Sequence, residues 1–170
     1  MRNLVMLFAA IWGFMINVNA QNDNATSIFQ MKDGAAVVTE VVAVQGKAKA
    51  DLYQDALMWV SKAFNSAKTV IQTKDSDLGL IAIKSKIMVD SNGYQELYSD
   101  EWYSFILTIQ AKDGRYKYEI SDIVYTWDAS YMNQPLVKPQ TNISDSKFRK
   151  AFLSIVSSLK QQMEKPAEDW

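Results

Sequence analysis

The chain has 170 residues and a net charge of −1 at pH 7, and it contains neither cysteine nor histidine. These two absences exclude disulfide bonds, thiolate and imidazole metal sites, and the Ser-His-Asp and Cys-His catalytic arrangements. The near-neutral charge gives no electrostatic reason to expect nucleic acid or an anionic membrane surface as a partner.

Residues 1–20 have the pattern of a cleavable signal peptide. Arg2 supplies a positive charge, residues 4–15 are apolar apart from Gly13, and Val18-Asn19-Ala20 suits a signal peptidase. A membrane-spanning helix needs about 20 apolar residues, so cleavage is favoured over anchoring. We therefore expect an exported soluble protein, periplasmic or extracellular, with no membrane span after cleavage. It is not expected to be a lipoprotein, because the chain has no cysteine to acylate.

The rest of the chain has the length of one domain of roughly 150 residues. We expect a flexible leader over 21–34, a single domain over 35–166 and a short tail over 167–170. A β-branched run at 35–44 predicts the first strand. Apolar residues at spacings of three and four then predict an amphipathic helix over 49–68. The residues that form its apolar face are Leu52, Ala56, Trp59, Ala63 and Ala67.

Four further strands are predicted in the middle of the chain. Two short ones, at 69–74 and 80–89, flank the turn composition of 75–79. Strands at 102–111 and 116–121 flank Asp113-Gly114, a strong hairpin turn signal. Alternation in the first of these directs Tyr103, Phe105, Leu107 and Ile109 to the core and leaves Trp102, Ser104, Thr108 and Gln110 on the opposite, wet face, where Ile106 is an apolar exception.

The last part of the chain contains a segment without a period and then a second helix. Residues 126–143 carry Pro135 and Pro139 and are predicted to be a long loop. Residues 144–165 are amphipathic, with Ser144 as the expected N-cap and Pro166 as the stop. The predicted order β-α-β-β-β-β-α indicates an α+β fold in which both helices cover one face of an antiparallel sheet.

Two segments of the chain resemble a known protein family. The first contains the aromatic helix face and the following turn, and the second is the hairpin at 112–120. They resemble a family of exported Bacteroidetes proteins, a domain of unknown function with a fold like the TATA-box-binding protein, over roughly residues 35–125. The resemblance implies a curved five-stranded sheet backed by two helices, and it implies no substrate, cofactor or catalytic residue. The matching positions of the first segment are Tyr53, Ala56, Trp59, Phe64, Ile71, Asp75, Gly79 and Ile81.

Paired carboxylates are the remaining candidates for catalysis. A glycosidase needs two carboxyl groups across a cleft. Asp75 with Asp77, and Asp100 with Glu101, are the nearest pairs, but all four lie in polar turn sequence, where aspartate commonly bonds its own backbone. We therefore assign no catalytic residue, no metal site and no cofactor.

Exposed aromatic and apolar side chains are the candidates for binding. The predicted loop at 126–143 contains Trp127, Tyr131 and Met132, and the wet sheet face contains Trp102 and Ile106. Such residues serve as anchors in interfaces, although the loop residues could equally pack onto the helices. The leading hypothesis is a non-enzymatic binding or accessory domain of the bacterial cell envelope, whose partner is an envelope protein, a small ligand or a glycan and not nucleic acid. The alternatives are a carboxylate-dependent hydrolase and a structural subunit of an envelope assembly.

Overall fold

The computed structural model describes residues 27–64, 66–89, 99–129 and 133–165. The signal peptide predicted for 1–20 and the tail predicted for 167–170 lie outside these ranges. The helices are α1 (Lys49–Ala63), α2 (Ala67–Val70) and α3 (Ser146–Met163). The strands are β1 (Phe29–Lys32), β2 (Ala35–Ala43), β3 (Ile71–Asp75), β4 (Leu80–Met88), β5 (Ser99–Lys112), β6 (Arg115–Ala129) and β7 (Leu136–Pro139).

These seven strands form one curved antiparallel sheet. Six of them follow the order β1-β2-β6-β5-β4-β3. The seventh strand, β7, also pairs with β6. β5 lies along one edge of β6 for most of its length. On the other edge, β2 pairs with residues 115–120 and β7 with residues 124–127. The long hairpin of β5 and β6 is therefore the centre of the sheet.

A β-bulge interrupts β6. Ser104 pairs with Val124 and Ile106 with Ser121, so two residues of β6 stand opposite Phe105 alone. One of the two is Asp122, which has a positive φ of 50°. An extra residue reverses the alternation of side chains beyond it. Residues 116, 118 and 120 face the core before the bulge, and residues 123, 125 and 127 share that side after it.

Both long helices cover the same face of the sheet. From α1, Leu52, Ala56 and Val60 are fully buried, as are Phe148 and Phe152 of α3. The Phe152 ring packs against Tyr103 and Phe105 of β5, with ring centroids 5.7 and 5.4 Å apart. This core confirms the predicted α+β class, the antiparallel sheet and the location of the helices on one face.

The structure corrects several predicted boundaries. Over the described ranges the sheet has seven strands rather than five, because β1 lies within the predicted leader at 21–34 and β7 within the predicted loop at 126–143. Every side chain of β7 is exposed, so this strand shows no hydrophobic period. The first helix ends at Ala63 instead of 68, and the short α2 follows it.

The N-cap of α3 is also corrected by one residue. Asp145, rather than Ser144, caps the helix, since its Oδ1 accepts a hydrogen bond of 2.8 Å from the Phe148 N–H. A carboxylate at this place satisfies one of the free backbone donors of the first turn.

Candidate functional site

One face of the sheet carries none of the helices of the described residues, and we call it the open face. A row of four residues crosses it at one end, formed by the apolar Met88, Trp102 and Val137 and by Thr126; we call it the apolar row. Cross-strand pairing makes them neighbours: Met88 pairs with Trp102, Trp102 with Thr126, and Thr126 with Val137. Met88 is 53% and Val137 58% exposed, whereas Trp102 is half-buried between its neighbours. Thr126 is only 6% exposed, so the row offers solvent the side chains of Met88 and Val137 and part of the Trp102 ring.

A basic side chain borders this apolar row. The Lys86 Nζ lies 5.2 Å from the centroid of the Trp102 ring, which is the geometry of a cation–π contact. Ile106 lies further along the open face, half-buried and paired with Lys84 and Ser121. The open face thus combines an aromatic anchor with lysines at its border.

The structure separates the five residues that the sequence suggested for binding. Trp102 and Ile106 lie on the open face. Trp127 does not belong to a loop: it lies in β6, pairs with Glu101 and Leu136, and is on the helix-covered side of the sheet. The bulge at Asp122 is the reason, because it reverses the alternation of β6 before Trp127. Tyr131 and Met132 lie outside the described residues.

The carboxylate pairs suggested for catalysis are not arranged around a shared cleft. Asp75 Oδ1 accepts a hydrogen bond of 2.8 Å from the Leu78 N–H and so stabilises the turn after β3. Asp100 and Glu101 are consecutive in β5 and therefore point to opposite faces. Among the described residues, no group of three or more acidic side chains is placed to hold a metal ion.

A buried carboxylate that the sequence assigned to a turn lies in β5, beside α3. Glu101 is only 6% exposed; its carboxylate accepts hydrogen bonds from the Tyr125 hydroxyl at 3.1 Å and from Lys147 Nζ at 3.0 Å. These bonds join β5 and β6 to the first turn of α3. The sequence pattern that could have revealed this buried carboxylate is the position of Glu101, two residues before the core-facing Tyr103 in the same strand. A cleft of about 230 Å³ opens here, lined by Glu101, Tyr103, Tyr125, Lys138, Gln140, Asp145 and Lys147.

Four tyrosines near the core have raised pKa values. Burial is the main cause in Tyr103, Tyr116, Tyr118 and Tyr125, and it raises the pKa of Tyr125 to about 12. The hydrogen bond from Tyr125 to Glu101 adds to the effect, because only the neutral phenol can donate it.

This predicts a loss of stability in alkali. A tyrosine whose pKa is higher in the folded state than its unfolded value of about 10 stabilises the protein fully below pH 10, and this contribution is lost as pH rises towards the folded value. We expect the free energy of unfolding, measured by urea denaturation, to fall between about pH 10 and pH 12. Tyr125→Phe removes one of these groups and should make the fall shallower. A Tyr125→Phe profile that is parallel to the wild-type profile would contradict this assignment.

No helix within the described ranges is both long and apolar enough to cross a membrane. The curved sheet alone does not identify a function, because proteins with the same fold can have many different functions.

Comparison with known proteins identifies the family. The chain is similar in structure to a TBP-like protein from Parabacteroides distasonis, with a TM-score of 0.65 and 16% identity over 82% of this chain and 99% of that one. It is also similar to a DUF4468 family protein from Bacteroides ovatus, with a TM-score of 0.59 and 15% identity over 85% of this chain and 95% of that one. No curated protein matches the chain. The model of the family described as a domain of unknown function (DUF4468) with TBP-like fold matches residues 39–126, and the chain therefore belongs to that family.

Proposed function

We propose that this protein is a non-enzymatic binding domain of the bacterial cell envelope, exported by the signal at 1–20, which holds a protein partner on its open face. The observation that carries the proposal is the exposure of Met88 and Val137 on either side of the half-buried Trp102 in the apolar row. Interfaces are typically centred on a partly buried aromatic residue with apolar neighbours and a polar border. Trp102, with Met88 on one side and Lys86 beside it, has these properties.

The exposed members of the row, Met88 and Val137, are not part of the folding core. The two long helices already cover the other face of the sheet, where the large buried side chains lie. Adjacent strands are about 4.8 Å apart, so a row across four strands is about 15 Å wide. This width suits a single segment of a protein partner, laid across the strands.

The test is cross-linking capture of the tagged mature domain from its own envelope, with bound proteins identified by mass spectrometry. Val137→Asp places a charge in the row at an exposed position, so the domain should remain folded. Leu78→Asp is the matched control, since Leu78 is 60% exposed in the turn between β3 and β4. We expect Val137→Asp to reduce capture of a specific partner at least about tenfold, which corresponds to about 1.4 kcal/mol, and Leu78→Asp to leave it unchanged.

Two outcomes would count against the proposal. Equal capture by the wild type and Val137→Asp would mean that the partner is held elsewhere. Equal loss in Val137→Asp and Leu78→Asp would mean that any added surface charge disturbs capture. A thermal melt of each variant checks that the domain is folded.

A further inference from the structure

Three basic side chains surround a cleft at the other end of the open face. Lys112 and Arg115 are paired on either side of the Asp113-Gly114 turn, and Lys117 pairs with Gln110 in the next position on the same face. Val41 of β2 lies beside Lys117. The cleft has a volume of about 300 Å³ and is lined by Val41, Gln110, Lys112, Arg115, Tyr116 and Lys117. We call it the hairpin cleft.

The turn that positions these side chains is fixed by the β2–α1 connection. The Gly114 N–H donates to the Lys47 carbonyl at 2.9 Å, and the Gly114 carbonyl accepts from the Val44 N–H at 2.8 Å. Asp113 Oδ1 accepts from the Lys49 N–H at 2.8 Å, so its carboxylate is directed towards the start of α1. An anchored turn holds charged groups in place before a ligand arrives, and this lowers the entropic cost of binding.

Among the described residues, only one of the three cations in the hairpin cleft forms an ion pair with an acidic side chain. Lys117 Nζ forms an ion pair of 2.8 Å with Glu119, and this hydrogen bond lowers the pKa of Glu119, which is therefore charged at neutral pH. Within the described ranges, no ion pair joins Lys112 or Arg115 to an acidic side chain. The cleft thus has an excess of two positive charges.

We propose that the hairpin cleft binds the phosphate group of a small soluble molecule. A phosphate monoester carries a charge of about −1.5 to −2 at neutral pH, which matches the excess of the cleft. The guanidinium group of Arg115 can bind two phosphate oxygens at once, and the Gln110 amide supplies a neutral donor. Trp102 and Gln110 are about 26 Å apart along β5, at about 3.3 Å per residue, so this site is separate from the apolar row.

The test is a calorimetric titration of the mature domain with pyrophosphate at low ionic strength. We expect saturable binding at one site, weakened at least about tenfold in Arg115→Gln. Arg115→Lys keeps the charge but loses the two-pronged geometry, so it should bind more weakly than the wild type and more strongly than Arg115→Gln. Lys84→Gln removes an exposed charge from the same face outside the cleft and should change the affinity less than about twofold.

The controls make each outcome decisive. Binding that does not saturate, or that Arg115→Gln and Lys84→Gln weaken equally, would mean diffuse attraction to a basic surface and would overturn the proposal. Equal affinity of Arg115→Lys and the wild type would overturn the specific role of the guanidinium group. Val137→Asp should bind pyrophosphate normally, so failure of the apolar row as an interface leaves this result unaffected.

Discussion

Phe152→Ala should lower the free energy of unfolding by about 3–5 kcal/mol, the range for removing a fully buried aromatic ring. Phe152 has no exposed surface, and its ring lies 5.0 Å from that of Phe148 and 5.4 Å from that of Phe105. Its removal would leave a cavity between α3 and β5, and the loss of stability grows with the volume of the cavity that remains. Urea denaturation followed by tryptophan fluorescence measures the loss.

The adjacent residue provides the control. Leu153 is 42% exposed on the outer side of α3, so Leu153→Ala should change the free energy of unfolding by no more than about 0.5 kcal/mol. Similar losses in the two variants would mean that α3 is not packed on the sheet through Phe152.

Gly79→Ala should have the second largest effect, a loss of about 2–4 kcal/mol. Gly79 has a φ of +64°, and a Cβ atom there would lie 2.6 Å from the backbone oxygen of Ala111. The Gly79 carbonyl also accepts a hydrogen bond of 2.8 Å from the Ala111 N–H, so the two backbones cannot separate without breaking it. The substitution therefore combines an unfavourable backbone angle with a steric clash.

Gly46→Ala separates the two contributions. Gly46 has a φ of +81°, but a Cβ atom added there would have no neighbouring atom within 4 Å. Only the cost of the backbone angle, about 1–2 kcal/mol, should appear in its free energy of unfolding. If both variants lose the same amount in urea denaturation, the contact with Ala111 is not restrictive.

The sequence predicted the centre of the fold because hydrophobic burial produces a strong period there. Tyr103, Phe105, Leu107 and Ile109 alternate with residues that are polar except for Ile106, and the Asp113-Gly114 turn fixes the register of the hairpin. β1 and β7 have four residues each, and β7 buries none of them. These two strands form because their backbones pair with longer neighbouring strands. Backbone pairing does not require a particular pattern of side chains, so the sequence does not predict them.

The candidate site was predicted only in part for a related reason. Trp102 lies in a regular strand, so its face could be read from the alternation. Trp127 follows a bulge at Asp122, and one additional residue moves every later side chain to the other face. Neighbours from separate strands, such as Met88 and Val137 on either side of Trp102 and Thr126, depend on the sheet order, which a local pattern does not contain.

The prolines at the ends of β7 have a consequence for self-association. β7 pairs with β6 on one side only, and Pro135 precedes it while Pro139 is its last residue. Neither proline has an N–H to donate, so a strand from another molecule would find an incomplete ladder at this margin of the sheet. Natural sheets use proline in this way to resist polymerisation through their margins. No disulfide bond limits how far this chain can unfold, because it has no cysteine. A sheet edge that resists the addition of strands from other molecules therefore protects it against amyloid-like aggregation.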